Sequence, residues 1–185
     1  GGFEIWQYSD RKPKPADFEI QAGDLGVFAA KIKSKDVEKT YELFSKKPNI
    51  NLLGKPEISI DGNKTFFMKD PYGNIFQIVH DTTIYRNEGR LTGGIVGAMI
   101  GVTDIEKAMP IYRDILGYDI VIADETGTFN DIKVLPSGEG QFRRRILSHS
   151  KPRQGSFSEL FGKSYIELVQ PLARDRAGNE SREDD

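Results

Sequence analysis

The chain has 185 residues, a formal net charge of −2 and no cysteine. This length suits one compact domain or two smaller modules, and the 37% hydrophobic and 29% charged content is typical of a globular protein. The small net charge gives no general attraction for nucleic acid, and no apolar stretch approaches the roughly 20 residues that cross a membrane. The lack of cysteine excludes disulfides and thiol nucleophiles and fits a reducing compartment, so we expect a cytoplasmic protein.

The two ends of the chain differ in pattern from the middle. Residues 1–9 alternate between apolar and polar side chains, and we interpret them as the last strand of a preceding module. Residues 10–23 are then a linker. Residues 173–185 are charged and nearly free of large apolar side chains, a composition that predicts a disordered tail.

The first unit, residues 24–82, has the order strand, helix and three strands. The segment DLGVFAAKIKS predicts its first strand, and the apolar residues of VEKTYELF recur at helical spacing behind two candidate N-caps, Ser34 and Asp36. A DGN turn inside EISIDGNKTFFMK indicates a hairpin. A second turn, DPYGN, returns the chain as the antiparallel strand NIFQIVH.

The second unit, residues 93–172, follows a linker at 83–92 and repeats this order. GGIVGAMIGVT predicts a strand, and TDIEKAMPIYRDILG predicts a helix with Thr103 as its cap and Glu106 completing a capping box. Pro110 lies inside this helix and predicts a kink. YDIVIAD, NDIKVLP and QFRRRILS are further strand candidates, and SYIELVQP closes the unit.

Three features together resemble the vicinal oxygen chelate superfamily, which includes glyoxalase I, the bleomycin-resistance proteins and the extradiol dioxygenases. They are the segment GVTDIEKAMPIYRDILGYDIV, the turn and strand DPYGNIFQIV, and the repetition of the unit. The resemblance implies an α+β fold of tandem βαβββ modules whose curled mixed sheets form a cup. In metal-using members a divalent cation lies in the cup, held by a residue on each first strand and by a carboxylate or amide on each last strand.

The resemblance implies that Glu4, Gln77 and Glu167 stand at last-strand ligand positions. Side chains on a strand alternate between its two faces. In SYIELVQP the isoleucine and leucine should pack against a helix, which directs Glu167 into the cup, and the same reasoning directs Gln77 there. The sequence therefore offers two carboxylates and one amide as candidate metal ligands.

The first strands offer no matching ligand. The position implied by the resemblance falls on Gly97 in the second unit and on Ala29 or Phe28 in the first, and none of these can ligate through its side chain. A hard divalent cation prefers several oxygen ligands, and a zinc, iron or nickel site usually includes imidazole. We therefore expect no cofactor, with the carboxylates and the amide hydrogen-bonded to neighbours or water. A divalent metal held by those three side chains is the alternative.

Four residues are candidates for substrate binding. Arg143 and Arg145 share one face of QFRRRILS and could bind a carboxylate or phosphate in the cup, or else belong to a solvated edge strand. Trp6 could stack on a planar ligand or lie in the core. Gly97 could leave space for a ligand or allow another strand to approach closely.

Glu167 and Tyr165 are the candidate catalytic residues. They lie two positions apart, so both point to the same face of the strand. The Tyr165 hydroxyl could donate a proton or a hydrogen bond to a substrate oxygen. The alternative is an aromatic side chain that only packs on its neighbours.

Three functions remain open at this point. The first expectation is a glyoxalase- or bleomycin-resistance-like protein that binds a small molecule in the cup without a conventional metal site. The second is a metal-dependent isomerase, lyase or dioxygenase of the same superfamily, in which the cation polarises substrate oxygens. The third is a non-catalytic structural module of a longer chain. We expect a small-molecule ligand and no nucleic-acid or membrane partner. Modules of this superfamily pair within or between chains, so a homodimer is also open.

Overall fold

The computed structural model describes residues 4, 8–12 and 17–172. Its elements, in chain order, are β1 (Gly26–Ser34), α1 (Val37–Ser45), β2 (Asn51–Ile58), β3 (Lys64–Lys69), β4 (Ile75–His80), β5 (Thr92–Gly101), α2 (Ile105–Met109), a π-helical segment (Pro110–Ile115), β6 (Ile120–Gly127), β7 (Phe142–Ser148), α3 (Ser158–Phe161) and β8 (Tyr165–Pro171). No helix in the described ranges is long and apolar enough to span a membrane. The predicted tail, residues 173–185, and most of the predicted leading strand, including Trp6, lie outside the described residues.

The strands form one mixed sheet of eight strands, in the order β2-β3-β4-β1-β5-β8-β7-β6. β1 runs parallel to β4 and antiparallel to β5, and β5 runs parallel to β8. The sheet curls into a half-barrel, and we call its concave side the cup. The predicted α+β fold with a curled mixed sheet is therefore confirmed.

Helices α1 and α2 cover the convex side of the sheet. Under α1, Val37 packs with Phe66 of β3 and Ile78 of β4. Under α2, Ile105 packs in a cluster with Leu168 of β8. Because side chains alternate along a strand, the residues next to Ile78 and Leu168 point into the cup, as their sequence pattern predicted.

The helices that follow β1 and β5 each begin at an aspartate. Asp36 caps α1 by accepting a hydrogen bond from the Lys39 N–H, as one of the two predicted caps. For the second helix, α2, the sequence predicts Thr103 as the cap, and this prediction is wrong by one residue. Asp104 has the extended backbone of a cap, and its carboxylate accepts hydrogen bonds from two N–H groups of the first turn of α2.

The helix after β5 changes its winding at Pro110, where the sequence predicts a kink. The α-helical part ends at Met109, and Pro110–Ile115 continues as a π-helical segment. The Leu116 N–H donates to the Ile111 carbonyl over 3.0 Å, which is a bond between residues five apart. Proline has no N–H to give to an α-helical bond, and the wider turn accommodates this loss.

The segment NDIKVLP, predicted as a strand, instead forms a series of turns. Ile132 and Leu135 point into one end of the cup and join its apolar core. The chain doubles back so tightly there that a Cβ on Gly138 would lie only 1.8 Å from the Ile132 carbonyl oxygen. The prediction fails because these apolar residues are buried by turns that fill the cup and not by pairing in the sheet. The buried members of this core are Ala22, Phe28, Ala29, Phe67, Ile75, Met99, Ile132, Leu135, Phe142 and Val169.

Candidate functional site

Lys31 of β1 lies at the centre of the cup. Its Cα is paired with that of Gln77 on β4, and its ammonium nitrogen Nζ lies 2.5 Å from Gln77 Oε1 and 2.6 Å from Oε2 of Glu167 on β8. The exposed fraction is 4% for Lys31 and 0% for Gln77 and Glu167. The two last-strand residues singled out from the sequence therefore meet in the cup, around a lysine.

Arg144 of β7 contacts Glu167 from the other side. Its Nε donates to Glu167 Oε1 over 2.7 Å, and its two terminal nitrogens donate to the two oxygens of Asp131 over 2.6 and 2.8 Å. The guanidinium carbon lies 4.8 Å from the centre of the Phe129 ring. Asp131 and Phe129 belong to the segment between β6 and β7 that fills the cup. We call Lys31, Gln77, Asp131, Arg144 and Glu167 the ion network.

The ion network balances its own charge. Lys31 and Arg144 supply two positive charges, and Asp131 and Glu167 supply two negative charges. Burial alone would raise the pKa of Glu167, but the charges and hydrogen bonds of Arg144 and Lys31 outweigh it and hold that pKa at about 2. Burial would lower the pKa of Arg144, but Glu167 and Asp131 raise it further above its ordinary value. Arg144 and Glu167 are therefore charged at neutral pH.

The ion network does not suit a divalent metal. Both oxygens of Glu167 and the oxygen of Gln77 already accept hydrogen bonds from cationic side chains. The remaining atom of the amide, Gln77 Nε2, is a buried donor without a partner in the described chain and cannot ligate a cation. A metal ion here would lie beside two fixed positive charges. Nowhere in the described ranges do three or more His, Cys, Asp or Glu side chains form a group that could hold a metal.

The first-strand residues that lie beside Gln77 and Glu167 are not the ones counted in the sequence. In the sheet register, Lys31 is the β1 residue beside Gln77, and Met99 is the β5 residue beside Glu167. The sequence count had placed these positions on Ala29 or Phe28 and on Gly97.

Arg143 and Arg145 lie on the convex side of β7, away from the cup. Arg145 is paired in register with Leu168, which packs under α2. Arg143 contacts Glu106 and Asp124 at 2.8 and 2.9 Å, and Arg145 contacts the same two carboxylates. These arginines join α2 to the edge strand β6. The arginine between them, which the sequence analysis did not single out, is the one that enters the cup.

Gly97 lies on the cup face of β5 between Lys31 and Tyr165. A Cβ at this position would come within 1.9 Å of the Tyr165 backbone oxygen. Of the two roles left open by the sequence, this geometry is that of close approach between β5 and β8.

We expect that Gly97→Ala destabilises the protein by about 2–3 kcal/mol, since the two strands must separate to admit the methyl group. Gly93→Ala in the same strand is a matched control, because its Cβ would meet only side-chain carbons of Lys33, at 3.2 Å and beyond. Urea unfolding of both variants measures the difference. Equal stabilities would contradict the steric role of Gly97.

Tyr165 is partly buried on the cup face of β8. Burial raises the pKa of its hydroxyl, and the charges of Asp81 and Asp61 raise it further. The hydroxyl is therefore protonated at neutral pH and can donate a hydrogen bond. Of the other sequence candidates, Glu4 is exposed, unlike the buried Gln77 and Glu167.

Two clefts lie beside the cup face, on either side of α3. The Lys33 cleft has a volume of about 620 Å³, and the Tyr165 cleft has a volume of about 680 Å³. Glu159 of α3 and Gly162 line both of them. Both volumes fall within the range that is usual for small-molecule sites.

Sequence reasoning missed Lys31, Asp131 and Arg144. Two of them carried a usable signal. Arg144 stands between Phe142 and Ile146 on the apolar face of its strand, where an arginine is rarely buried without a partner. Lys31 alternates with apolar neighbours in the same way. Asp131 had no signal, because its segment was predicted as a strand.

Comparisons with solved structures place this fold among known ones. The chain is similar to glyoxalase I from Zea mays, with a TM-score of 0.52, 18% identity and coverage of 83% of this chain and 46% of that one. It is also similar to a proposed dioxygenase from Bacillus subtilis, with a TM-score of 0.50, 18% identity and coverage of 84% and 44%. The chain thus spans less than half the length of either protein. No family model matches the sequence, and the search of curated proteins found no significant match. At this identity the likeness concerns the fold alone, which is glyoxalase-like.

Proposed function

We propose that this chain, which has the glyoxalase-like fold, is a metal-independent protein that binds a small molecule beside the cup. One observation carries the proposal. The Lys31 ammonium bridges Gln77 and Glu167, the two residues that the sequence resemblance assigns to last-strand metal-ligand positions. The cation between these two residues is therefore a side chain of the protein, held in place by strand β1.

We also propose that residues 24–82 and 93–172 are the two modules of the chain.

The bridging ammonium differs from a metal ion in what it can do. A bound metal with an open coordination position accepts substrate oxygens and polarises them. The contacts of Lys31 are made to protein oxygens, and the carboxylate it touches is also held by Arg144. We therefore assign the ion network a structural role at the centre of the cup.

The Tyr165 cleft supplies the features of a ligand site. Ile120 and Ile122 offer apolar surface, and Tyr165 and Ser148 offer hydroxyl groups. Apolar walls with a few polar groups that fix orientation are typical of small-molecule pockets. In this proposal the protonated Tyr165 hydroxyl donates a hydrogen bond to a ligand oxygen, and Glu167 has no catalytic role.

A structural module is the second candidate function, and the exposed edge strand β6 favours it. Its residues Ile120, Val121 and Ile122 are 43%, 50% and 43% exposed. An apolar edge strand is a surface on which another chain or module can add. This candidate predicts assembly, as a homodimer or with a further module, without a bound small molecule.

Metal and ligand measurements test the proposed function together. We expect the purified protein to contain far less than one equivalent of metal, and neither manganese, nickel and zinc salts nor a chelator should shift its melting temperature. A fragment screen by ligand-observed NMR should find molecules that bind. Tyr165→Phe should weaken the oxygen-bearing ones about three- to tenfold, as expected for one lost hydrogen bond.

Two results would overturn the proposal. One is a stoichiometric metal that Glu167→Gln removes, which would restore the metal-dependent enzyme. The other is a screen in which no fragment binds while the protein self-associates, which would favour the structural module.

A further inference from the structure

We propose that the Lys33 cleft binds the anionic group, a carboxylate or a phosphate, of a small molecule. This rests on the proposed function in taking the ligand to be a small molecule, but it concerns the cleft on the other side of α3. Three observations support it: a buried lysine without an ion pair, unused hydrogen-bonding capacity on that lysine, and an excess of positive charge around the cleft.

Lys33 is buried without an opposite charge in contact. It is 5% exposed, and in the described chain no carboxylate lies within ion-pair distance of its ammonium nitrogen. Lys31, two residues earlier on the same face of β1, is as deeply buried but contacts Glu167. A buried charge is costly unless it is paired. Lys33 is therefore prepared for an anion that the described chain does not itself supply.

The ammonium of Lys33 also has a free donor. It donates to the Thr83 carbonyl oxygen over 2.8 Å and to Thr83 Oγ1 over 3.1 Å, and an ammonium carries three N–H groups. The Thr83 hydroxyl donates in turn to Asp81. The carboxylate of Asp81 is thus connected to Lys33 only through the Thr83 hydroxyl. The two contacts with Thr83 orient the ammonium and leave its third N–H for a ligand in the cleft.

The surroundings of Lys33 carry more positive than negative charge. Four cationic side chains and two carboxylates line the cleft, whereas the chain as a whole has a net charge of −2. One of those carboxylates, Glu88, is already shared between Arg86 and Arg90 at 3.5 and 3.7 Å. Such a local excess attracts anions and favours their binding. The charged residues of the lining are Lys33, Lys35, Arg86, Glu88, Arg90 and Glu159.

Titration of the whole chain with inorganic phosphate and with acetate, at constant ionic strength kept by chloride, tests this site. Amide NMR spectra should show saturable shifts at Lys33, Thr83 and Gly93. Lys33→Met should weaken binding of the stronger probe at least about tenfold, as expected for a lost charged hydrogen bond. Lys107→Met is the matched control, since Lys107 is an exposed lysine whose side chain is 86% exposed. The two probes distinguish a phosphate ligand from a carboxylate one.

The outcomes separate this inference from the proposed function. If neither probe shifts those amides, or if Lys33→Met binds as tightly as the control variant, the anion site is refuted. Fragments that still bind at the Tyr165 cleft would then leave the proposed function intact. If Lys33→Met does not fold, Lys33→Arg keeps the charge and should retain phosphate binding, whereas loss of binding with an intact fold would count against the site as described.

Discussion

Replacing Arg144 by methionine should lower the free energy of unfolding by about 3–5 kcal/mol. The change removes the only cation in contact with Asp131 in the described chain and one of the two in contact with Glu167. Both carboxylates would remain buried, because the turns over the cup cover them. Removing one member of a buried ion pair leaves an uncompensated charge, and this cost exceeds what the pair gains in the intact protein. Urea unfolding at pH 7 measures it.

The adjacent arginine provides the control. Arg143→Met on the same strand removes a partly exposed ion pair with Glu106 and Asp124 and should cost no more than about 1 kcal/mol. Replacing the four charged members of the ion network together by apolar residues of similar size should recover most of the loss, since a buried network and a packed apolar core are close in stability. A small effect of Arg144→Met would mean that water reaches the cup.

Replacing Glu167 by glutamine should also destabilise the protein strongly at pH 7, and this loss should shrink in acid. Folding lowers the pKa of Glu167 from 4.5 to about 2. An acid of this kind contributes stability above its ordinary pKa, and the contribution is lost as the pH falls through 4.5 towards about 2. The full difference corresponds to about 3 kcal/mol.

Unfolding of both proteins between pH 7 and pH 3 measures this dependence. The difference in free energy of unfolding between wild type and Glu167→Gln should be constant above about pH 5.5 and decrease below about pH 4.5. Glu38→Gln, which removes an exposed ion pair with Lys64, should give a small difference at every pH. A difference that does not change with pH would mean that Glu167 titrates normally in the folded protein.

Much of the fold could be predicted because its signals are local. Alternation along NIFQIVH and SYIELVQP placed Gln77 and Glu167 opposite the helices, and the structure confirms this orientation. Pro110 marked the place where the second helix changes its winding. These features depend on neighbours within a few residues, which the sequence displays directly.

The centre of the cup could not be predicted because it is built from distant contacts. Lys31 and Glu167 are 136 residues apart, and their contact depends on the register of three strands, β1, β5 and β8. A local apolar pattern also cannot distinguish a strand from a series of turns. Ile132 and Leu135 show this, since both are buried in the core although their segment forms turns. The same loop carried Asp131, so its misassignment concealed one charge of the network.

The sheet has two halves, β2-β3-β4-β1 and β5-β8-β7-β6, which meet where β1 pairs with β5, and we call this pairing the seam. The ion network joins the two halves across the seam. Lys31 belongs to the first half and Glu167 to the second, and Arg144 of the second half reaches Ser59 of the first at 3.5 Å. A slip of the seam by one residue would turn these side chains to the opposite face and leave charges buried without partners. We therefore expect the ionic contacts to select the correct register between β1 and β5 during folding. A purely apolar contact between these strands would tolerate misaligned pairings more readily.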